Sequence, residues 1–351
     1  MITGATGFVG GAIAKHLQKR GDQLVLMARD EARAAKLAGP KDRVVVGSIL
    51  DPNVIARAAE GVDYIVHAAG LASRRAEARV YDWLVIAGTE NVLTGARAAG
   101  TPRVILISTA DVTLANVERV HWDEKRDLTE RPVGARACAH KLAEEIALTL
   151  SDSVMGVSAL RPGWLWGPGD TSRLPALVRE AKSGGVRMFG DGRNLIASTY
   201  IETLAEAVVS AARSPRAIGE AYYVGDPEFL ELREFLQSLM RTLSLPPPRS
   251  GPPFALSYPL ARMRAVPAEG PTPEEMLLRA RGSLFDIQKS IADLDFRATI
   301  NIDEGMKKLG AWVDQSGGAD ALAKLTRKVP SVTEVEAEAE RVGARPPRAQ
   351  S

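Results

Sequence analysis

The chain has 351 residues, with 45 Lys plus Arg against 43 Asp plus Glu, one Cys and four His. That length allows one large domain or two smaller ones around a sizeable core. Balanced charge argues against a nucleic-acid partner, the single Cys138 excludes an internal disulfide framework, and no metal-ligand spacing occurs among the Cys and His residues. No run of about 18 uncharged apolar residues predicts a membrane span. Nothing resembles a signal peptide, so a soluble cytoplasmic protein is expected.

The first stretch, Met1-Ile-Thr-Gly-Ala-Thr-Gly-Phe-Val-Gly10, reads as a strand end, a glycine turn and a helix start. Phe8, Val9, Ile13 and Leu17 are apolar at helical spacing, Gly21 closes the helix, and Leu24-Val-Leu-Met27 reads as the next strand. Strand, glycine turn, helix and strand open a dinucleotide-binding unit. Glycines at positions 4, 7 and 10 permit a positive φ and a close backbone approach, and the free N–H groups at the helix start face an anion. So little chain precedes Gly4 that the first strand is expected to be short or trimmed.

At the end of the second strand, where the adenosine ribose lies in such folds, stands Arg29 in place of an acid. A guanidinium suits a 2′-phosphate, with Arg33 in support, so NADP is expected; Asp30 keeps NAD open as the alternative. A third strand is predicted at residues 43–46, a helix at 52–61 and a fourth strand at 63–70. That strand ends in Ala68, Ala69 and Gly70, small residues that let backbone lie against a cofactor, while His67 is expected to pack near the strand end. Residues 81–99 read as a long helix, the almost wholly apolar residues 103–109 as a fifth strand, 135–150 as a helix and 157–161 as a sixth strand. This alternation predicts an α/β fold, a doubly wound (Rossmann) parallel sheet with a smaller C-terminal α/β substrate lobe.

Beyond residue 170 the alternation dissolves. Helices are predicted at 174–183, 202–213 and 232–243, short strands at 199–201 and 221–224, and a Pro-rich linker at 245–253. The apolar residues 254–266, with Arg262 and Arg264 set among them, are expected to cover a substrate pocket or lie on a membrane surface. The expected division is a dinucleotide-binding core at 1–170 with a returning strand within 199–224, a substrate lobe at 171–328 and a tail at 329–351 that reads as helical to disordered.

Several motifs occur in order: Thr3-Gly-Ala-Thr-Gly-Phe-Val-Gly10, His67-Ala-Ala69, Gly88-Thr-Glu-Asn-Val-Leu93, Leu160-Arg-Pro-Gly-Trp-Leu-Trp-Gly-Pro-Gly-Asp170, Gly190-Asp-Gly-Arg-Asn194, Thr199-Tyr-Ile-Glu-Thr-Leu204 and Phe285-Asp-Ile-Gln-Lys289. Together they resemble the extended short-chain dehydrogenase/reductase (NAD-dependent epimerase/dehydratase) superfamily, and within it the 3β-hydroxysteroid dehydrogenase and sterol-4-carboxylate dehydrogenase group, over roughly residues 1–320. The resemblance implies cofactor contacts from Gly4, Thr6, Gly7, Phe8, Val9, Gly10, Arg29, Ala68, Ala69, Gly70, Lys141 and Pro162. It also implies a homodimer.

In this family a Ser or Thr after the fifth strand steadies the substrate oxygen, a Tyr passes a proton, and a Lys four residues later holds the nicotinamide ribose and lowers the Tyr pKa. The resemblance puts Thr109 in the first role and Lys141 in the last, but Ala137 stands where the Tyr belongs. Thr113, Trp83-Leu-Val and Ser48 also depart from the family pattern. His140 shares part of the Ala137 face and is a candidate catalytic replacement, with a surface histidine as the alternative. Cys138 points elsewhere and is expected to pack, and Asp111 has no assigned role.

Two readings follow. One is an oxidoreductase moving hydride between nicotinamide and a secondary alcohol or ketone, sterol-like substrates included, with impaired proton transfer. Trp164, Trp166, Met188 and Phe189 then line an apolar pocket, or else are core. The other is a catalytically inactive nucleotide-binding sensor or scaffold. A sugar-nucleotide epimerase or dehydratase ranks lower, because that chemistry also relies on the Tyr.

Overall fold

A computed structural model describes residues 1–126, 131–263 and 270–347. Its centre is a seven-stranded sheet, ordered in space Ala221–Val224, Gly156–Pro162, Arg103–Ile107, Ile65–His67, Ile2–Thr3, Val25–Ala28, Arg43–Val46. Every neighbouring pair is parallel. The chain leaves Ile2–Thr3 toward one edge and then crosses to the other side at Ile65–His67. That reversal opens the crevice in which such sheets bind ligands, at the carboxyl ends of the strands.

Local chemistry sets the helices. Asp30 caps Glu31–Leu37 by accepting the Arg33 N–H, and Asp51 caps Pro52–Ala59 by accepting from Asn53 and Val54. Pro52 stands at the first helical position, where it has no hydrogen bond to lose. One face of the sheet buries Ile55, Ile65, Val92, Val104 and Ile146, and the other Ile13, Leu17, Leu26, Leu204 and Val208.

On the second face, segments beyond residue 170 join the dinucleotide-binding core. Ile201–Arg213 packs against Phe8–Lys19, and Leu294 and Phe296 enter the same cluster. The strand that returns to the main sheet is Ala221–Val224, whereas Ser198–Tyr200 pairs with Trp164–Trp166 outside it. The lobe has its own core, centred on Leu177, Phe235, Leu236, Leu239 and Leu309. Its small sheet runs Leu230–Glu231, Leu195–Ile196, Ser283–Phe285, Arg119–Trp122. None of these four strands is in the sequence prediction: each has only two to four residues, too few for a period to show.

The tail takes the helical form of the two that its sequence allows. Val332–Arg341 is a helix, closed by a capping box between Ser331 and Glu334. Val335 and Ala339 on it bury against Leu50, Val80, Trp83 and Leu84. An apolar pair at helical spacing outweighs the charged composition that predicts disorder. Residues 348–351 lie outside the described residues, as do 264–266 of the apolar segment, whose remainder forms the helix Phe254–Arg262. Among the described residues no helix is long and apolar enough to cross a membrane.

Candidate functional site

The glycine turn follows from close packing. Gly4 has φ +66°, and a Cβ there would sit 2.8 Å from Ala69 Cα. A side chain at Gly10 would strike the Gly4 carbonyl. The Gly7 N–H donates to Gly4 O at 2.9 Å. Ala68 and Ala69 therefore lie against the turn, while a Cβ on Gly70 would meet open space. The helix Phe8–Lys19 has no side-chain cap and no acid in its first turn, so the N–H groups of Phe8, Val9 and Gly10 face outward with the positive end of the helix dipole. This donor set fits the diphosphate of a dinucleotide. Gly169, seven residues past Pro162, reaches the same turn, where a Cβ would lie 3.7 Å from Phe8.

Arg29 is exposed at the end of the second strand. Asp30, which left the cofactor ambiguous, uses a carboxylate oxygen as the cap for Arg33 N at 3.0 Å. Arg33 Nη2 donates to Thr6 O at 2.9 Å, which ties it to the glycine turn. Ser48 accepts the Leu50 N–H at 3.1 Å and shapes its own loop.

The fifth strand and the Ala135–Thr149 helix meet where the resemblance places catalysis. Thr109 Oγ1 accepts the Asp111 N–H at 3.2 Å, so its hydroxyl proton is left for another partner. Its neighbour Ser108 donates to Glu144. Glu144 stands seven residues after Ala137, on the same helical face, and binds Arg161 through Nε at 3.0 and 3.1 Å. Lys141 pairs with Glu145 at 3.1 Å, its side chain 15% exposed. Ala137 itself is fully buried, in a cluster with Leu114, Phe189, Tyr258, Met276 and Leu277. Cys138 donates to Pro132 O, and burial pushes its thiol up.

Beside Ala137 lies a buried charge cluster. Asp111 Oδ2 accepts from Arg74 at 2.6 Å and from Arg136 at 3.0 Å, and Arg74 reaches Glu274 at 3.4 Å. Burial alone would raise the Asp111 carboxyl, but Arg74 and Arg136 hold it well below the usual carboxylate range. Burial raises Glu274, with Arg74 opposing. Glu274 can approach because Gly134 has no side chain there. Arg173 lies within electrostatic reach of Arg74 and Asp111, and burial followed by Arg74 pushes it down to about 10. Its guanidinium lies over Trp164, 4.4 Å from the ring centroid, and its buried Nη1 has no hydrogen-bond partner among the described residues.

His140 is not a surface histidine. Its Nε2 is buried without a hydrogen-bond partner among the described residues, and burial, then Arg136, holds its pKa well below the ordinary value, so the ring is neutral. His67 bridges Thr3 at 2.8 Å and Thr89 at 3.1 Å, and burial lowers it to about 4. Of the expected pocket residues, Trp166 and Met188 belong to the lobe core and Trp164 packs against it, while Phe189 joins the Ala137 cluster.

Two departures from the family pattern have structural counterparts. Thr113 accepts from the buried Arg119 at 3.3 Å. Trp83 lies in the π-helical stretch Asp82–Ala87 and forms the seat of the C-terminal helix, with Arg79 over its ring and paired to Glu336. Sequence reasoning missed Arg74, Arg136, Arg173, Glu274 and the Glu144–Arg161 pair. Only Glu144 carried a signal, its helical spacing from Ala137.

A family model described as the NAD dependent epimerase/dehydratase family matches residues 1–225. The chain is 28% identical to the 2-alkyl-3-oxoalkanoate reductase of Stenotrophomonas maltophilia, covering 89% of this chain and 98% of that protein. It is 28% identical to the 3 beta-hydroxysteroid dehydrogenase/Delta 5-->4-isomerase of Mycobacterium tuberculosis over 68% of each chain. In fold it is similar to DesIV, a dTDP-glucose 4,6-dehydratase from Streptomyces venezuelae solved with NAD, at a TM-score of 0.73 and 23% identity over 90% of this chain and 97% of that one. With its parallel sheet, its glycine turn and a match over residues 1–225, the chain belongs to the NAD-dependent epimerase/dehydratase family of extended short-chain dehydrogenases/reductases.

Proposed function

We propose that the protein is an NADP-linked oxidoreductase that interconverts a ketone and a secondary alcohol, with slow proton transfer because Ala137 replaces the proton donor. The observation that carries this reading is the Ser108–Glu144 bond. It ties the Thr109 end of the fifth strand to the helix bearing Lys141, and the helix start at the glycine turn is free of acid. When bound, the nicotinamide supplies or accepts the hydride. Thr109, whose oxygen already accepts a backbone N–H, donates its proton toward the substrate oxygen. Lys141 holds the ribose hydroxyls. Neutral His140 or a water relays the proton, and losing a dedicated donor costs roughly a hundredfold to ten-thousandfold in rate.

Arg173 supports a substrate with an anionic group. Its nearby acids are taken: Asp111 by two arginines, Asp170 by the backbone of Ser172, Arg173 and Leu174, and Glu275 by the Thr272 N–H and Arg75. A carboxylate would satisfy the orphaned Nη1. The reductase relative named for 2-alkyl-3-oxoalkanoates is consistent with a 3-oxo acid.

One observation favours the inactive reading. Ala137 is wholly buried beneath side chains of the lobe. The two readings separate when NADPH and NADH binding are measured first, and cofactor oxidation is then followed on a ketone panel that includes a 2-alkyl-3-oxoalkanoic acid. Binding with turnover that Ala137→Tyr accelerates supports the oxidoreductase. Binding without turnover in either protein supports the sensor.

A further inference from the structure

The C-terminal part of the chain returns to the cofactor turn. Residues 324–331 run from the lobe to the helix Val332–Arg341, which sits on the dinucleotide-binding core. The start of this strap is fastened by Arg179, which donates to Ala323 O at 3.0 Å and Leu325 O at 2.9 Å. Its far end is fastened by the Ser331 capping box and by Lys328 on Glu334. Between these anchors Arg327 Nη2 donates to Thr171 Oγ1 at 2.6 Å, just past the loop that touches Phe8.

Arg327 lies within electrostatic reach of Arg33, and both residues stand exposed at the rim of the turn. Arg33 is itself held on Thr6 O of the glycine turn. The acid nearby is Asp170, whose Oδ1 accepts from Ser172 and Arg173 and whose Oδ2 accepts from Leu174. Two guanidinium groups thus converge on the rim of an anion-binding turn, one from each end of the chain. Holding like charges together costs free energy that an anion between them recovers.

We propose that Arg33 and Arg327 form a two-guanidinium site for a phosphate of the bound dinucleotide, so that the C-terminal strap closes over the cofactor. The position of Arg33, in the first turn after the second strand, assigns it the 2′-phosphate; the diphosphate offers the same chemistry from a second source. The proposal rests on the reading that this chain binds a nicotinamide dinucleotide.

The test is direct binding of NADPH, NADH and 2′,5′-ADP to the full chain carrying Arg327→Gln, with the exposed Lys324→Gln as control and Arg327→Lys as partial rescue. Removing one charge-assisted hydrogen bond should raise the Kd for NADPH and 2′,5′-ADP about tenfold or more. An unchanged Kd for NADH identifies the 2′-phosphate, and an equal loss on NADH identifies the diphosphate. Trypsin provides a second readout: NADPH should slow cleavage after Lys328 in the wild type and not in Arg327→Gln. Unchanged affinities and unchanged protection in a folded Arg327→Gln protein overturn the proposal. Failure of the wild type to bind any dinucleotide instead overturns the reading beneath it.

Discussion

Glu144 holds Arg161 through both carboxylate oxygens, and the same carboxylate accepts from Ser108. This arrangement locks the helix carrying Ala137 and Lys141 to the strand that runs into Pro162. Removing one member of such a buried pair leaves an uncompensated charge, at a cost of about 3–5 kcal/mol. Glu144→Ala should lower the free energy of unfolding by that much in urea titration. Replacing both residues with apolar ones of similar volume should cost far less, and equal losses in the single and double variants would show that the pair does not act as a unit.

Ala137→Tyr should raise kcat toward the upper end of the hundredfold to ten-thousandfold range of general acid–base catalysis. The same change forces a ring among Leu114, Met276 and Leu277, and such overpacking costs about 1–3 kcal/mol. The expected variant is therefore faster and melts earlier. A variant that melts earlier with no gain in rate would place the reacting oxygen away from position 137.

His67 titrates within the fold. Its pKa falls from 6.5 to about 4, so the unfolded chain binds a proton first as the pH drops. The neutral ring contributes stability that is present above the unfolded value of 6.5 and is lost between there and about 4. The full effect is roughly 3 kcal/mol. Chemical denaturation at pH 7 and pH 4.5 should show a loss in the wild type that is smaller in His67→Gln. Parallel losses would exclude His67 as the source.

Much of the Rossmann body was legible because its signals are local. Glycine spacing and apolar strand runs act over a few residues, whereas the caps Asp30 and Asp51, and the helix Glu31–Leu37, went unread. The charge cluster was not, because Arg74, Asp111, Arg136 and Glu274 lie on four separate segments whose meeting is a product of tertiary packing. The C-terminal segment, which reads as helical to disordered, was undecided for the same reason. Its composition is that of a solvated tail, and only the apolar seat around Trp83 accounts for its order.

That seat is itself testable. Val335→Asp puts a charge against Leu50, Val80 and Trp83, and burying it without a partner is costly. The helix should undock, and Trp emission should shift to the red as Trp83 is exposed. An unchanged spectrum would show that the helix does not cover Trp83 in solution.

The proposed function stands or falls on hydride transfer at this cofactor site without a Tyr at position 137. Isotope tracing decides it: NADPH deuterated at the transferring position is supplied together with a 2-alkyl-3-oxoalkanoic acid, and the product is followed by mass spectrometry. Deuterium should appear on the alcohol carbon, slowly with the wild type and faster with Ala137→Tyr. Saturable NADPH binding with no deuterium in any product, from either protein, would rule that transfer out.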